Sequence, residues 1–477
     1  MGSNMAIEKQ GPLKPGDPGA PAPSFQDIIA SDNDRPPGSM FEENVPDLGT
    51  ADLSRERYFS HRWHELEAQK LWPKVWQMAC REEEIPEVGD YLVYDIIDES
   101  VIVVRTAPDR IRAYHNACLH RGTQLCAPES RGQVAHFRCP FHGFTWALDG
   151  SLKAVPSRWD FPHVQSADFA LPEAKVGTWG GFVFINMDPN AESLDQYLGV
   201  LPTHFSAWPL ENRYIAAHVR KELPCNWKIA QESFMEVMHV GATHPQTMPY
   251  IGDVNSQYDV FGDNVNRMIT AQAVPSPLNP NITEQEVAEV FVQELAGSPG
   301  PGADDEFEIA NSAQFEMQDN ESARQAMARL MRNNLTVTTG VDHSEVSTSE
   351  VLDTTMYQLF PNFMPCGGAG VPVIFRFRPH AQDPERSTMD VMLLYTFDSS
   401  GDRPPPAKIT TLGVEDSWFD APELGGICTI FEQDTANMPM VQRGLKASKK
   451  PGVTLSRYQE LRLRHYHQRL NQLLGQE

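Results

Sequence analysis

Two short loops of this chain each carry one cysteine and one histidine, at Cys118 and His120 and at Cys139 and His142. Structural zinc sites usually group cysteine with cysteine and histidine with histidine. A [2Fe–2S] centre in which two thiolates hold one iron and two imidazoles hold the other needs one ligand of each kind from each loop. The pattern therefore favours this iron–sulfur centre over zinc or a chance spacing, and it predicts redox chemistry, since imidazole ligands raise the reduction potential.

The residues around these ligands support the same interpretation. Gly122 and Gly143 follow the histidines closely, where a backbone that turns tightly round a cluster needs unusual angles. With these flanks, CLHRGTQLC and CPFHGFTW, the loops resemble the Rieske domains of ring-hydroxylating oxygenase α-subunits. The connection formed by residues 121–138 is slightly longer than this resemblance implies, which suggests a small insertion. Cys126 has no second loop cysteine as a disulfide partner, so we interpret it as a buried thiol.

A second set of candidate ligands follows the plausible helix cap Asn226. Drawn at about 100° per residue, the helix places Glu232, Glu236 and His239 on one side and apolar residues on the other. Such a pattern also fits a simple amphipathic helix whose polar face is solvated. The acids and the histidine are therefore candidates for a metal site, and other residues must decide between the two interpretations.

His244 makes the metal interpretation the stronger one. It lies five residues after His239 and would miss the helical face, but Gly241 and Pro245 predict that the helix ends between the two histidines. His244 is then free to turn back toward His239. Two histidines and one carboxylate are the ligand set of non-haem Fe(II) oxygenases, which leaves positions open for O₂ and substrate.

The carboxylate of this set comes from a distant segment. Asp434, in IFEQDTANMP, is the main candidate, and sequence distance alone does not place it. The motif Glu-x-x-His-x4-His followed by a distant Glu-Gln-Asp resembles the mononuclear-iron motif of Rieske oxygenases, and this implies that His239, His244 and Asp434 ligate iron. The weaker rivals for the carboxylate ligand are Asp416, Asp420 and Glu432.

Glu236 departs from one branch of this family. In naphthalene- and biphenyl-type enzymes the equivalent acid is Asp, which bridges a cluster histidine of a neighbouring subunit to a histidine on the mononuclear iron. Enzymes that act on quaternary amines such as carnitine and choline resemble this chain in using Glu. The resemblance implies that Glu236 is a catalytic bridge. Met238 is a second departure, since the family usually has Tyr at this position.

The substrate therefore stays open between two classes. Our main prediction is that O₂ and reductase-supplied electrons are used to hydroxylate a hydrophobic aromatic or polycyclic substrate, by mono- or dioxygenation. The alternative is a monooxygenase or demethylase that acts on a quaternary amine or on a methoxy or N-methyl compound. Apolar residues that line a pocket, or simply form core, are Met235, Met238, Met248, Met356, Phe363 and Met364.

Composition limits the partners and the compartment. With 39 basic and 64 acidic side chains, the net charge of −25 disfavours binding to nucleic acid or to anionic membranes. No run of about 18 apolar residues is long enough to span a bilayer. Seven cysteines in 477 residues do not form a disulfide scaffold, so we expect a soluble protein in a reducing cytoplasm.

Local patterns predict an all-β region followed by a region of mixed helix and strand, and the resemblance implies an α+β fold. We expect a disordered or subunit-wrapping tail at 1–50, a helix that packs on the catalytic domain at 51–76, and an all-β Rieske [2Fe–2S] domain at 77–185. Residues 186–477 are expected to form a mononuclear-iron domain, which the resemblance implies is a helix-grip (START-like) fold with a curved antiparallel sheet. An acidic helical insertion at about 281–335 is either a lid over the site or a surface excursion. Within it we expect helices at 283–296 and 311–333, joined by a linker rich in Pro, Gly and Asp at 297–305.

The resemblance also implies cofactors and partners. Each subunit would hold one Rieske [2Fe–2S] cluster and one mononuclear Fe(II), and NAD(P)H would be used indirectly through a reductase, with or without a ferredoxin. The expected assembly is a head-to-tail homotrimer, with or without a separate β-subunit. Electrons would then cross a subunit interface, from a cluster histidine through Glu236 to His239.

Overall fold

An all-β region follows a short N-terminal region of mixed structure. The computed structural model describes residues 11–296, 316–371, 373–397 and 401–476. The first elements are α1 (Phe25–Ala30), β1 (Leu53–Ser54) and α2 (His61–Lys70). The strands that follow are β2 (Gln77–Arg81), β3 (Asp90–Ile96), β4 (Glu99–Ala107), β5 (Arg110–His115), β6 (Arg131–Gln133), β7 (Phe137–Arg138), β8 (Thr145–Trp146), β9 (Leu152–Ala154), β10 (Glu173–Trp179) and β11 (Phe182–Asn186). They form a seven-stranded sheet in the order β2-β11-β10-β5-β4-β3-β6 and a small sheet of β7, β8 and β9.

The rest of the chain mixes helices with one long sheet. Its helices are α3 (Leu194–Leu198), α4 (Leu201–His204), α5 (Trp227–Glu232), α6 (Val240–Thr243), α7 (Glu284–Ala296), α8 (Ala323–Thr339), α9 (Thr348–Leu352), α10 (Ile427–Ala447) and α11 (Leu461–Leu474). Its strands are β12 (Arg213–Leu223), β13 (Ile251–Phe261), β14 (Val265–Gln272), β15 (Thr354–Leu359), β16 (Phe363–Gly367), β17 (Val373–Pro379), β18 (Ser387–Thr396), β19 (Ile409–Leu412) and β20 (Gly452–Val453). Short 3-10 turns connect several of these elements.

The long sheet has the predicted antiparallel layout. Its order is β13-β14-β15-β16-β17-β18-β12-β19, and every neighbouring pair is antiparallel except β12 and β19. Helix α5 packs on β17 and β18, and α11 packs on β13 and β14, so the sheet curves around its helices. The α+β prediction, with an all-β region before a curved antiparallel sheet, agrees with the structure. The chain returns to its start through β20, which pairs with β1.

The N-terminal segment differs from the predicted disordered tail. Residues 11–50 pack on their own chain: Phe25, Ile28 and Ile29 of α1 are buried, and α1 contacts β13 and β14. Ser24 caps the helix by accepting a hydrogen bond from the backbone N–H of Asp27. A few well-placed apolar residues thus order a segment whose average composition is that of a tail. Wrapping around another subunit stays a prediction.

Periodicity predicts one helix from Asn226 to about His239, within what we call the metal-site segment (residues 226–250). The structure instead divides this segment into two short helices. Helix α5 ends at Glu232, and the Ser233 hydroxyl donates to a backbone carbonyl one turn earlier, an interaction that often bends helices. Glu232 therefore leaves the predicted common face, and its Oε2 accepts a hydrogen bond from the Tyr58 hydroxyl at 3.0 Å. Glu236 lies on the irregular turn before His239, which directly precedes α6.

The acidic insertion also differs in detail from its prediction. Helix α7 occupies the first predicted segment at 283–296 almost completely. The second predicted helix, at 311–333, instead begins at Ala323, because Ser322 caps it and the residues from 316 to 322 are not helical. The predicted linker at 297–305 lies outside the described residues. In the part of the chain that the structure describes, no helix combines the length and apolar character that a bilayer crossing requires.

Candidate metal centres

The paired loops bring their four candidate ligands together. The imidazole rings of His120 and His142 lie with centroids 4.7 Å apart, and the side chains of Cys118 and Cys139 are buried and interact with each other. The first loop connects β5 to β6, and the second connects β7 to β8. The two sheets of the all-β region therefore position one cysteine and one histidine each, as the spacing had predicted.

Each loop closes on itself through the same pair of backbone hydrogen bonds. The N–H of Cys118 donates to the carbonyl of Thr123 at 2.8 Å, and the N–H of Gly122 donates back to the carbonyl of Cys118 at 2.8 Å. Cys139 and Gly143 make the corresponding two bonds at 2.8 and 3.0 Å. Both glycines have positive φ, +79° and +76°, which explains why this residue type stands there.

The donor atoms of these loops fit a [2Fe–2S] cluster with mixed ligands. The Nδ1 atoms of His120 and His142 are buried and have no hydrogen-bond partner among the described residues, which is costly unless a ligand binds them. Burial raises the pKa of the Cys118 thiol. At Cys139 burial acts in the same direction, but hydrogen bonds from backbone N–H groups, including that of His142, outweigh it and the pKa is lowered. Two imidazoles and two thiols are also a zinc ligand set. The two-iron cluster is favoured because each loop supplies one ligand of each kind, and because these four residues are not among the groups of described residues compact enough to hold a single ion.

Two histidines and a distant carboxylate converge at a second position. One ligand atom from each of His239, His244 and Asp434 lies within 4.8 Å of the others. The Nε2 atom of His244 is 2.9 Å from Asp434 Oδ1, and the Nε2 atom of His239 is 3.5 Å from the same oxygen. His239 and His244 lie at the two ends of α6, and Asp434 lies on α10.

The hydrogen bonds on the far side of each ring show which nitrogens are free for a metal. The Nδ1 atom of His239 is 2.7 Å from Glu236 Oε1, and the Nδ1 atom of His244 is 2.7 Å from Gln433 Oε1. An ionised carboxylate and an amide oxygen only accept, so each Nδ1 carries the hydrogen and each Nε2 presents a lone pair. Lone pairs that face a carboxylate oxygen at these distances need a proton or a metal cation to offset the repulsion. The ligand types and their grouping fit a mononuclear iron in that position.

Glu236 also changes the electrostatics of this site. Burial lowers the pKa of His239, but the hydrogen bond and negative charge of Glu236, together with the charge of Asp434, outweigh it, so the pKa lies above its usual value. The carboxylate also accepts a hydrogen bond from the backbone N–H of His239 at 3.2 Å. With 13% of its side chain exposed, Glu236 lies between the buried site and the surface.

Gln433 is a functional residue that the sequence interpretation missed. Its Oε1 atom accepts from His244 and also from the Nε2 amide of Gln246 at 2.8 Å, so two residues orient the ring. The only sequence signal was its position next to Asp434, which the Glu-Gln-Asp motif contains without assigning a role to the glutamine. Gln433 and Asp434 are neighbours on α10, where successive side chains point about 100° apart. Both nevertheless contact the ring of His244, one at each nitrogen.

The rival carboxylates do not reach this site. Asp416 accepts from the backbone N–H of Gly413, and Asp420 accepts from the backbone N–H of Ser417. Glu432 accepts from the Ser417 hydroxyl and from the backbone N–H of Trp418. These three acids thus stabilise the turns before α10, whereas Asp434 alone among the four candidates reaches the histidines.

An apolar cavity of about 360 Å³ opens beside the three ligands. Its walls come from the metal-site segment, the long sheet, α7, α8 and α10, and its aromatic lining residues are Phe234, Tyr250, Phe291, Phe375 and Phe431. Of the apolar residues suggested by sequence, Met356 lines this cavity, whereas Met235 and Met364 are buried in the core and Met238 is largely exposed. The sequence interpretation therefore missed most of the residues that line the cavity.

The polar lining of the cavity is uncharged apart from the metal-site acids. Hydroxyl and amide groups come from Ser233, Thr247, Thr270, Gln272, Thr354 and Thr429, and the carboxylates from Glu236 and Asp434. Among the described residues that line the cavity, none is Lys or Arg. Away from the metal position, a carboxylate on a bound molecule would therefore be desolvated without a compensating cationic side chain, which is unfavourable.

Comparison with known families matches most of the chain. Residues 203–476 match the ring hydroxylating alpha subunit (catalytic domain), and residues 75–165 match the Rieske [2Fe-2S] domain. The two matches cover both candidate metal centres. They agree with the resemblance inferred from the ligand motifs and with the predicted pair of iron cofactors.

Individual relatives share the fold and part of the sequence. The glycine betaine monooxygenase oxygenase subunit of Pseudomonas aeruginosa is 32% identical over 211 residues, 42% of this chain and 48% of that protein. The carnitine monooxygenase oxygenase subunit of Escherichia coli is 32% identical over 190 residues, 39% and 50% of the two chains. A naphthalene 1,2-dioxygenase mutant bound to phenanthrene superimposes with a TM-score of 0.60 at 16% identity, covering 91% of this chain and 94% of the other. The chain thus spans about half the length of the curated relatives it matches, and the solved structure shows a shared fold.

Proposed function

Because the chain belongs to the ring hydroxylating alpha subunit family, we propose that it is the oxygenase component of a Rieske non-haem iron system. The observation that carries this proposal is the convergence of His239, His244 and Asp434 beside an apolar cavity. The same chain carries the paired loops, whose buried imidazole Nδ1 atoms find no hydrogen-bond partner in the described part of the chain. One polypeptide thus combines an electron-accepting centre with a site for O₂ and substrate.

The residues around the iron site have separate tasks. When bound, the cluster supplies electrons one at a time, and the mononuclear iron supplies the position at which O₂ is activated. Glu236 and Gln433 hold the hydrogens on the Nδ1 atoms of His239 and His244, which keeps both Nε2 lone pairs directed at the metal position. The apolar walls orient the substrate and exclude water from the reacting carbon.

We propose a substrate with an N-methyl or quaternary ammonium group on a sizeable apolar body. The named relatives that act on glycine betaine and carnitine support this alternative better than our main prediction of an aromatic substrate. The aromatic lining, which includes Tyr250 and Phe291, offers ring faces to a cation. Because no described lining residue is a cation, the substrate proposed here lacks the carboxylate of those two compounds.

Oxygenation of an aromatic or polycyclic ring is the second candidate. The wide apolar lining favours it, because a neutral ring needs no charged partner. The two candidate reactions give different products. Ring hydroxylation adds one or two oxygen atoms to the substrate, whereas hydroxylation of an N-methyl group releases formaldehyde. Product analysis therefore separates the two functions.

The deciding experiment uses the iron-loaded full chain with a surrogate reductase. Matched pairs of compounds are supplied, a trimethylammonium with an alkyl tail against its ω-carboxylate analogue, together with naphthalene. We expect formaldehyde release from the alkyl compound and little from its carboxylate analogue. Hydroxylated naphthalene without demethylation would support the second candidate, and O₂ consumption without any product would contradict both.

The partners and location belong to the same proposal. We propose a reductase, with or without a ferredoxin, as electron donor, and a head-to-tail homotrimer in which Glu236 meets His120 or His142 of a neighbouring subunit. The partial exposure of Glu236 supports this route. We propose a cytoplasmic location, which fits the observation that none of the seven cysteines, all of which lie in described residues, forms a disulfide.

A further inference from the structure

Two helices of the acidic insertion form one wall of the cavity. Phe291 of α7 and Met331 of α8 both line it. The ring of Phe291 contacts that of Tyr250 in a T-shaped arrangement with centroids 5.4 Å apart. Tyr250 closes the metal-site segment, since its backbone N–H donates to the carbonyl of Thr247 at 3.0 Å. The insertion thus reaches the substrate space and is more than a surface excursion; we call this wall the roof.

A small apolar core holds the two helices together. It is separate from the main core of the chain and includes residues of α7, α8 and α9 that are almost completely buried. Its most buried members are Val287, Ala288, Ala323, Ala326, Met327, Ala328 and Val351. Small alanines on α8 allow close helix packing, so Phe291 and Met331 are carried by a rigid unit.

A buried arginine ties this unit to the cavity wall. Arg324 of α8 donates to both carboxylate oxygens of Asp353, at 2.7 and 2.8 Å, and to the carbonyl of Gln272 at 2.9 Å. Gln272 lines the cavity, and Asp353 directly precedes Thr354, another lining residue. A planar guanidinium that makes a two-bonded contact fixes orientation as well as distance.

The N-terminal segment completes the attachment. Asp32 accepts from Arg324 Nε at 2.9 Å and from Arg324 Nη2 at 2.9 Å, and all these side chains are buried. Two residues later, Asp34 accepts from Arg332 of α8 at 2.6 Å and from the Thr348 hydroxyl at 2.7 Å. Since α1 packs on β13 and β14, the segment joins the roof to the sheet that forms the cavity floor.

We propose that Phe291 and Met331 set the maximum length of the substrate, and that Arg324 is the positioning residue that keeps them in place. The identity of the substrate class rests on the proposed function, but the length limit does not. Both side chains line the cavity from α7 and α8, and Phe291 packs against Tyr250 at the end of the metal-site segment, so their size limits the room left for a bound molecule. The N-terminal segment and the insertion thereby acquire a shared role in specificity.

The test measures equilibrium binding by calorimetry, so that it does not depend on turnover. Two probe series are used with the iron-loaded full chain, n-alkyltrimethylammonium ions and n-alkylbenzenes, each from butyl to dodecyl. Phe291→Ala and Met331→Ala should move the length limit to longer probes, each newly accommodated methylene improving affinity by about fourfold. Val337→Ala, on α8 with 82% of the side chain exposed, is the matched control and should leave the limit unchanged.

A substitution that enlarges the side chain distinguishes a change in cavity length from a loss of folding. Met331→Phe should move the limit to shorter probes, a result that general destabilisation does not produce. An unchanged limit in the alanine and phenylalanine variants, with wild-type secondary structure, would overturn the inference. If the wild type binds the probes and shows the limit but oxidises none of them, the proposed function fails and the inference stands.

The test of Arg324 must distinguish a positioning role from a general loss of stability. Arg324→Lys keeps the charge but loses the two-bonded contact, so we expect the length limit to become less sharp, with at least a threefold smaller affinity ratio between fitting and overlong probes. Val101→Ala, in the buried core of β4, provides a variant of lowered melting temperature far from the roof. An equal loss of discrimination in both variants would assign Arg324 a purely structural role.

Discussion

Replacing Glu236 with Gln tests the most specific part of the proposed function. Glu236 Oε1 lies 2.7 Å from the Nδ1 atom of His239. A hydrogen bond to a charged group contributes about 1.5–3 kcal/mol and a neutral one about 0.5–1.5 kcal/mol. The amide oxygen can still accept, so ring orientation is kept and the loss is about 1–1.5 kcal/mol, which corresponds to roughly a tenfold change in an equilibrium constant.

The expected phenotype separates metal binding from metal use. Iron affinity should fall about tenfold, so that saturating iron restores occupancy of both centres, while coupled turnover stays reduced by about 10- to 100-fold. Turnover falls further than binding because the Glu236 bridge is also proposed to connect His239 to the neighbouring subunit's cluster. The assay reduces the protein anaerobically, mixes it with O₂ and substrate, and follows reoxidation of the cluster by visible absorption in a single turnover.

A matched control sharpens the result. Glu232→Gln makes the same substitution four residues earlier, at an acid that bonds to Tyr58 and His467 and does not contact His239. It should reoxidise at the wild-type rate. If the Glu236 variant also reoxidises at the wild-type rate with both metals present, the bridge role is refuted.

Three further predictions follow from the same contacts. His239→Ala should abolish mononuclear iron binding while the visible spectrum of the cluster is retained; loss of that spectrum would show that the two sites are misassigned. Gln433→Leu should weaken iron binding about 10- to 100-fold, measured by chelator competition, because the Nδ1–H of His244 loses its acceptor; unchanged affinity would contradict the role of this amide. Burial raises the pKa of Glu232 from 4.5 to about 8, against the hydrogen bond from Tyr58, so its contribution to stability is full below about 4.5 and is lost as the pH rises through about 8. As the pH rises from 4.5 to about 8, the melting temperature of Glu232→Gln should therefore fall less than that of the wild type. Parallel curves of melting temperature against pH would contradict the raised pKa of Glu232.

Ligand chemistry made the metal residues the most predictable part of the site. Cysteine paired with histidine in two loops, and two histidines flanking a helix break, restrict the possible metals strongly. The structure brings Cys118, His120, Cys139 and His142 together, and likewise His239, His244 and Asp434. Their roles stay predictions. Spacing was enough to select the cysteines and histidines, whereas Asp434 was selected through the resemblance to the family motif.

Contacts between distant segments were not predictable from local pattern. The bond from Arg324 to Asp32 joins residues far apart in sequence, and nothing in either neighbourhood indicates the other. The break after Glu232 depends on a serine that bonds back to the helix, which periodicity cannot detect. Composition also misjudged residues 11–50, because a few buried side chains outweigh many prolines and glycines.

The two cluster loops have a consequence for evolution and engineering. Each loop is a closed ring of backbone hydrogen bonds between its own residues, and these internal bonds run from 118 to 123 and from 139 to 144. Apart from Gly122 and Thr123, which belong to the first ring, neither ring takes a bond from the connection at 121–138. Asn116 also accepts from the backbone N–H groups of Leu125 and Cys126, which holds the start of the connection. We therefore expect residues added between Ala127 and His136 to leave the ligand geometry unchanged.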